Sequence, residues 1–284
     1  MQQHGKRIVW NLARGVLLGA LSLLVLPSPA SAQTAAPLAA WQNDPGVVLR
    51  PLAGPPPNWE FTAGLGGGVF PEYEGSNSYQ PVPSPNIDVR YKDLAFLSTG
   101  EGIGVNLLRG TSYRAGVAIT YDYGREHNYA TRLSGTGNID PAAEPKVFAE
   151  FAVLPLIFSL DLRYRATSQQ GFVGDVSIYA PVVANDTWQV FLGPSATFAD
   201  DNYMNTYFGI TPDHAAPHSR FQPYTASGGT KNVNFGATAL YHFTDHWFVD
   251  LDAGAERLLG SAENSPIVQT RWGYGLDAVL CYTW

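Results

Sequence analysis

The chain has 284 residues, of which 45% are hydrophobic and 14% charged, and its mean hydropathy is −0.08. This average is too polar for a bundle of membrane-spanning helices, and a formal charge of −7 without a basic cluster argues against nucleic acid as a partner. The single cysteine, Cys281, cannot form an intramolecular disulfide, and no Cys/His spacing indicates a metal site.

The first 32 residues have the layout of a cleavable secretory signal. Lys6 and Arg7 form a positive region, an apolar run lies at 15–26, and small residues end at Ala32 before Gln33. The apolar run is too short to span a bilayer as a helix, so we favour cleavage between Ala32 and Gln33 over an uncleaved anchor. The signal holds three basic residues and no acidic ones, so a charge of −7 becomes −10 in the mature chain.

Residues 33–57 form a proline-rich segment that we expect to lie in the periplasm as an N-terminal arm. Proline cannot donate to a β-ladder and favours extended, polyproline-like backbone. Two interpretations stay open for this arm. It is either a disordered linker or a docking arm for a periplasmic partner.

From Trp59 onward, apolar and polar side chains alternate in segments of about ten residues, which is the pattern of a transmembrane β-barrel. A soluble β-sandwich would show similar alternation, but Tyr and Trp recur at the segment ends, as they do at a lipid–water boundary. The sequence therefore predicts an all-β, transmembrane antiparallel barrel over 58–284, with about 12 strands and a range of 10 to 14. The predicted strands are 59–70, 81–91, 94–108, 113–124, 146–154, 156–167, 171–183, 187–199, 220–228, 231–244, 246–258 and 271–284.

Twelve is an even number of strands, as a barrel with both termini in the periplasm requires. With these strands, the long connections 125–145 and 200–219 fall on the periplasmic side, where turns are usually short. Either a strand is miscounted on each side of them, or these segments fold into the barrel.

The last strand predicts how the protein is assembled. Apolar and aromatic residues occupy every second position from Tyr274 to Trp284. Strands of this kind, with a terminal aromatic residue, close outer-membrane barrels and are recognised by the barrel-assembly machinery. We therefore assign Tyr282 and Trp284 to the barrel-assembly signal.

Charged residues recur at the polar, lumen-facing positions of the predicted strands, nine of them acidic and four basic. They are Glu60, Asp88, Arg90, Arg114, Asp122, Asp161, Arg163, Arg165, Asp175, Asp250, Asp252, Glu256 and Asp277. Buried charges without partners are costly, so we expect ion pairs that fill a narrow lumen. The alternative is a water-filled pore that prefers cations, because rings of Asp and Glu favour cations.

No set of residues indicates catalysis. Some barrels hydrolyse lipids with Ser and His on their outer face, but His242 points inward, and the nearby Thr244 is a poor substitute for an activated Ser. His246 has no such partner, and His218 and Ser219 are adjacent in a loop without a visible orienting acid.

Two further motifs are also better explained by structural roles than by catalysis or phosphate binding. Glu72 and Glu74 flank Tyr73 on an extended segment, and we expect them to order the first loop, since nothing marks a glycosidase cleft. The glycines of 64–68 lie within a strand, without the Lys or helix of a phosphate loop. We therefore predict no catalytic residue, no metal and no cofactor.

Several motifs occur in a fixed order along 58–284. The first part contains GLGGGVFPEYEGS, PNIDVRY and FLSTGEGIGVNLL, and the later part contains YDYGREHN, YFGITP and RLLGSAENSPIV. This order resembles the MipA/OmpV family of outer-membrane proteins. Trp284 replaces the usual terminal Phe, and the proline-rich arm is not part of the family pattern.

The resemblance implies a scaffold-like protein in the outer membrane of a Gram-negative bacterium, in contact with its lipids and lipopolysaccharide. The founding member is described as bridging a membrane-bound lytic transglycosylase and a bifunctional murein synthase, which implies a role in peptidoglycan remodelling. Other members are linked to adhesion, envelope stress or small-solute passage. The alternatives to a scaffold are thus a pore for small solutes or cations, and a surface adhesin or envelope-stress protein.

Overall fold

A computed structural model describes residues 57–215 and 220–284. Twelve antiparallel strands pair in sequence order, and β1 pairs with β12 to close the barrel. The strands are β1 Trp59–Pro71, β2 Tyr79–Tyr91, β3 Ala95–Ser98, β4 Gly102–Arg109, β5 Tyr113–Asp122, β6 Ala142–Val153, β7 Leu156–Arg165, β8 Gly171–Ala184, β9 Trp188–Ala199, β10 Gly229–His242, β11 Trp247–Leu258 and β12 Trp272–Thr283.

Three short helical elements lie in the loops. A 3₁₀ turn covers Thr131–Leu133, α1 covers Asp201–Phe208, and α2 covers Gly260–Glu263. In the described part of the chain, no helix has the length and apolar character needed to cross a bilayer.

The predicted twelve-strand antiparallel barrel is confirmed, but two of the predicted strands are wrong. Residues 94–108 form the hairpin β3–β4 and not one strand, because the chain reverses at 99–101. Gly102 permits the reversal: its φ is +87°, and a Cβ atom there would lie 2.3 Å from the carbonyl oxygen of Ile119.

The predicted strand 220–228 is irregular chain that makes a single isolated bridge, between Ile210 and Tyr224. Pro223 cannot donate to a ladder, and the side chains of Phe221 and Ala226 are buried among the loops. One strand gained and one lost leave the total at twelve.

This correction moves the long connections to the other end of the barrel. The connections 72–78, 123–141, 166–170 and 259–271, and the described parts of 200–228, lie at the end away from the termini, which we call the loop end. The terminal end, where β1 begins and β12 finishes, has the short turns 92–94, 110–112, 154–155, 185–187 and 243–246. The conflict between strand count and loop length is thereby removed.

The outer face has the predicted apolar band. Exposed aliphatic residues such as Leu65, Ile103, Leu160 and Leu276 lie between two belts of aromatic residues. At the terminal end the belt contains Trp59, Phe61, Tyr113, Phe151, Trp188, Tyr241, Phe243, Trp247 and Trp284. At the loop end it contains Tyr79, Tyr121, Tyr123, Phe172, Phe198, Trp272 and Tyr274.

The signal at 1–32, its cleavage site between Ala32 and Gln33, and nearly all of the arm at 33–57 lie outside the described residues. They stay predictions.

Candidate functional site: the charged lumen and its cap

A chain of buried ion pairs crosses one side of the lumen. Arg90 on β2 contacts Asp88 at 2.6 Å and Glu101 at 2.8 Å. Glu101 also contacts Arg114 on β5 at 2.9 Å, and Arg114 contacts Glu150 on β6 at 2.7 Å. All five side chains are less than a tenth exposed.

Glu101 lies at the centre of this chain of ion pairs. It is not among the predicted lumen residues, because 94–108 was predicted to be a single strand. The β3–β4 hairpin is short, so its turn carries Glu101 into the lumen between two arginines. Each arginine also lies over a phenylalanine ring, Arg90 at 5.4 Å from Phe96 and Arg114 at 5.2 Å from Phe148. Charge and aromatic packing together fill this part of the barrel.

A second network occupies the wall from β7 to β9. Arg163 lies between Asp161, at 3.0 Å, and Asp175. Asp175 also accepts a hydrogen bond of 2.5 Å from the hydroxyl of Thr197. Each carboxylate in this network therefore has a donor, as a buried charge requires.

Two more networks link the lumen to the loop end. Lys231 turns inward at a bulge in β10 and contacts Glu74 of the β1–β2 connection at 2.7 Å, while Glu256 accepts from the Asn232 amide at 2.6 Å. Of the two acids expected to order the first loop, Glu74 is buried in this contact and Glu72 is half-buried.

The other network is centred on Arg165 of β7. Its guanidinium contacts Asp122 of β5 at 2.9 Å and donates to the backbone oxygens of Asp140 and Gln169 in the neighbouring connections. Asp122 also accepts from the hydroxyl of Tyr207 on α1. These bonds fasten strand ends to the loops above them.

The remaining predicted lumen residues also face inward. Asp252 accepts from the hydroxyl of Thr238, and Asp277 accepts from the hydroxyl of Ser84 at 2.8 Å. Asp252 and Asp277 are direct partners in the β11–β12 register. Glu60 and Asp250 are half-buried on the same inner face.

An apolar cluster connects opposite walls of the barrel. Phe70 of β1 packs with Ile157, Tyr179 and Phe191 of β7, β8 and β9, and all four are buried. In a ring of twelve strands, β1 and β7 stand opposite each other. The cluster therefore brings apolar side chains from opposite walls together inside the barrel, where an open pore would need water.

The connections at the loop end form a compact cap with its own apolar core. Its buried members are Tyr73, Ala130, Leu133, Ile139, Val173, Ala199, Met204, Tyr207, Phe208, Ile210, Phe221, Ala226, Leu258, Ala262 and Ile267. Hydrogen bonds join separate connections, since the Tyr73 hydroxyl donates to Ile267 O at 3.0 Å and Ser265 Oγ donates to Phe208 O at 2.6 Å. The Asp200 side chain caps α1 by accepting from Tyr203 N.

Burial in this cap changes the pKa values of its tyrosines. Desolvation raises the pKa of Tyr73 to about 12, against the opposing effect of Arg132 and Arg125. The pKa values of Tyr203 and Tyr207 on α1 are also raised well above 10 by burial. The folded cap therefore favours neutral phenols.

We expect the cap to lose stability in alkali. A released Tyr73 ionises near pH 10, whereas the buried phenol resists ionisation until about pH 12, so its stabilising contribution is complete below pH 10 and is lost as pH rises through 12. Absorbance at 295 nm should show phenols that ionise only above pH 10. The emission of a fluorophore attached in the cap should change over the same pH range. Tyr73→Phe should reduce the late phase, whereas ionisation of every tyrosine near pH 10 in the folded barrel would contradict a buried cap.

The histidines weighed for catalysis are not brought into a catalytic set among the described residues. The His242 ring stacks on Phe248 at 5.0 Å, and His246 Nδ1 lies 3.0 Å from the carbonyl oxygen of Thr283. His218 and Ser219 lie outside the described residues. Within 57–215 and 220–284, no group of three or more His, Cys, Asp or Glu residues is arranged to hold a metal ion.

Comparison with known proteins adds the family. The model of the family described as "MltA-interacting protein MipA" matches residues 63–284, which is the barrel almost in full. The chain belongs to the MipA family. No protein with a curated description matches it.

Solved structures similar to this MipA-family chain have low sequence identity. The "CymD monoaromatic hydrocarbon channel" is 8% identical with a TM-score of 0.40, and the match covers 84% of this chain and 91% of that one. OmpT of Vibrio cholerae is 8% identical with a TM-score of 0.37, covering 80% of this chain and 97% of that one. Family membership and the closed barrel make this an outer-membrane protein of a Gram-negative bacterium.

Proposed function

We propose that this protein is a non-conducting binding and scaffolding barrel, and not an enzyme. The observation that carries the proposal is the set of buried side chains inside the barrel, from which we infer a filled lumen. Ion pairs run from Asp88 to Glu150, and Phe70 packs against the opposite wall. An open charged pore would keep such groups hydrated, whereas these charged side chains are buried and form ion pairs with one another.

We further propose that the terminal end faces the periplasm. In outer-membrane barrels the periplasmic turns are short and the extracellular loops are long, which matches the two ends of this barrel. The arm at 33–57 would then extend from Trp59 into the periplasm beside the short turns. A proline-rich arm loses less entropy on docking than a flexible one, which suits it to bind a partner.

The family description supports murein enzymes as partners, and we place them at the terminal end because it faces the periplasm in this orientation. A lytic transglycosylase and a bifunctional murein synthase are the two candidates, so the barrel would hold peptidoglycan cleavage and synthesis together at the outer membrane. The barrel-assembly machinery and lipopolysaccharide are expected contacts during and after insertion.

Site-directed photo-crosslinking in intact cells tests the scaffold. A crosslinker replaces Asp186 in the β8–β9 turn at the terminal end, and a matched one replaces Glu126 at the loop end, both exposed residues. We expect murein hydrolases or synthases to be captured from position 186 and not from 126, and to be reduced when 33–57 is deleted behind an intact signal. Recovery of assembly factors and lipopolysaccharide alone, unchanged by the deletion, would refute the scaffold.

The second candidate is a pore that prefers cations. It is favoured by the acidic excess of the lumen and by the direct pairing of Asp252 and Asp277 on adjacent strands. Carboxylates in this arrangement attract cations if water reaches them.

A further inference from the structure

One charged residue stands on the lipid-facing side of the barrel wall. Among the outward positions of the twelve described strands, Arg257 near the loop end of β11 is the single charged side chain. Its register partners, Val233 on β10 and Trp272 on β12, are both exposed and apolar or aromatic. A charge facing lipid is unfavourable unless an interface or a partner accommodates it.

The surroundings of Arg257 indicate what that partner is. Its guanidinium lies 5.8 Å from the centre of the Trp272 ring, within the aromatic belt of the loop end. No carboxylate in the part of the chain that the structure describes forms an ion pair with it. The cation is therefore held at the level of the lipid headgroups with its hydrogen-bond donors available.

A second arginine adjoins this position. Arg271 directly precedes Trp272, the register partner of Arg257, and its side chain is 54% exposed. It contacts Glu263 at 3.3 Å, and its backbone oxygen accepts from the amide of Leu258, the residue that follows Arg257. The loop end of the β11–β12 pair thus carries two arginines, on a chain that is acidic as a whole.

We propose that Arg257, Arg271 and Trp272 form a binding site for a phosphate group of lipid A, the membrane anchor of lipopolysaccharide. Guanidinium groups bind phosphate oxygens through two parallel hydrogen bonds, and the Trp272 ring lies against the sugar and acyl region below. Lipid A is the phosphorylated lipid of the outer leaflet, which the loop end meets in the orientation proposed above. The inference rests on that orientation.

Native mass spectrometry of the folded protein in zwitterionic detergent tests the site. The probes are deep-rough lipopolysaccharide, the same lipid after enzymatic removal of its phosphates, and phosphatidylglycerol. We expect Arg257→Gln to weaken binding of the phosphorylated form about tenfold, which is the effect of one lost hydrogen bond between charged groups. Arg271→Gln should weaken it less, because Glu263 already neutralises part of that charge.

Arg109→Gln is the matched control, since Arg109 is also exposed but lies at the terminal end, where it donates to the carbonyl oxygen of Lys92. It should bind like the wild type, and the heat-modifiable gel mobility of each variant verifies its fold. Equal binding of wild type and Arg257→Gln, or of phosphorylated and dephosphorylated lipid, would overturn the site. If Arg257→Gln weakened the binding of phosphatidylglycerol more than the binding of lipopolysaccharide, the assignment to lipid A would be overturned. Crosslinking at position 186 does not depend on Arg257. The scaffold proposal and the lipid-site proposal can therefore be refuted independently of each other.

Discussion

Replacing Glu101 with glutamine is expected to destabilise the folded barrel by about 3–5 kcal/mol, the usual effect of removing one partner from a buried ion pair. Glu101 contacts both Arg90 and Arg114, and its side chain is 2% exposed. Without its charge, the two buried arginines lose the carboxylate that lies between them, while Asp88 still contacts Arg90 and Glu150 still contacts Arg114. Unfolding by urea in lipid vesicles, followed by tryptophan fluorescence, measures the loss.

Glu126→Gln is the control for this substitution, because Glu126 is exposed in the β5–β6 connection and the chemical change is identical. It should leave the unfolding midpoint where the wild type has it. An unchanged midpoint in Glu101→Gln would show that the lumen pairs are hydrated and would remove the basis for a filled barrel.

Deleting Tyr282 to Trp284 is expected to abolish accumulation in the outer membrane. These residues close the barrel: Tyr282 pairs with Ala63, Thr283 with Thr62, and Trp284 N donates to Phe61 O at 3.0 Å. Their loss leaves one end of β1 with unpaired backbone groups, which a bilayer does not tolerate. It also removes the residues assigned to the assembly signal.

The amount of protein in purified outer membranes, and its heat-modifiable mobility, measure this effect. Trp284→Phe is the control, since it keeps a terminal aromatic residue and the full backbone of β12, and it should accumulate like the wild type. Normal outer-membrane levels of the truncated chain would contradict both the assembly signal and the closing role of β12.

The barrel could be predicted from the sequence because the alternation of apolar and polar residues that specifies it is a local pattern. Alternation from Tyr274 to Leu280 assigns each side chain to lipid or lumen without knowledge of the rest of the chain, and the structure places them so. The alternation also restricts the register, since a slip by one residue would turn the apolar face inward.

The hairpin and the cap could not be predicted in this way. Apolar residues continue at alternate positions on both sides of Gly102, so periodicity does not reveal the reversal; the sequence Thr99-Gly100-Glu101-Gly102 was the available signal. The cap depends on contacts between distant segments, such as Tyr73 with Ile267, which lie 194 positions apart. No local pattern specifies a core of that kind.

The measurement that tests the filled lumen most directly is the conductance of the purified, refolded protein in planar lipid bilayers at neutral pH. We predict no steady channel, because the buried ion pairs around Glu101, the apolar cluster at Phe70 and the loop-end cap occupy positions that an open pore would leave to water. Stable, cation-selective channels whose selectivity changes in Asp250→Asn or Asp252→Asn would contradict this account and establish the pore.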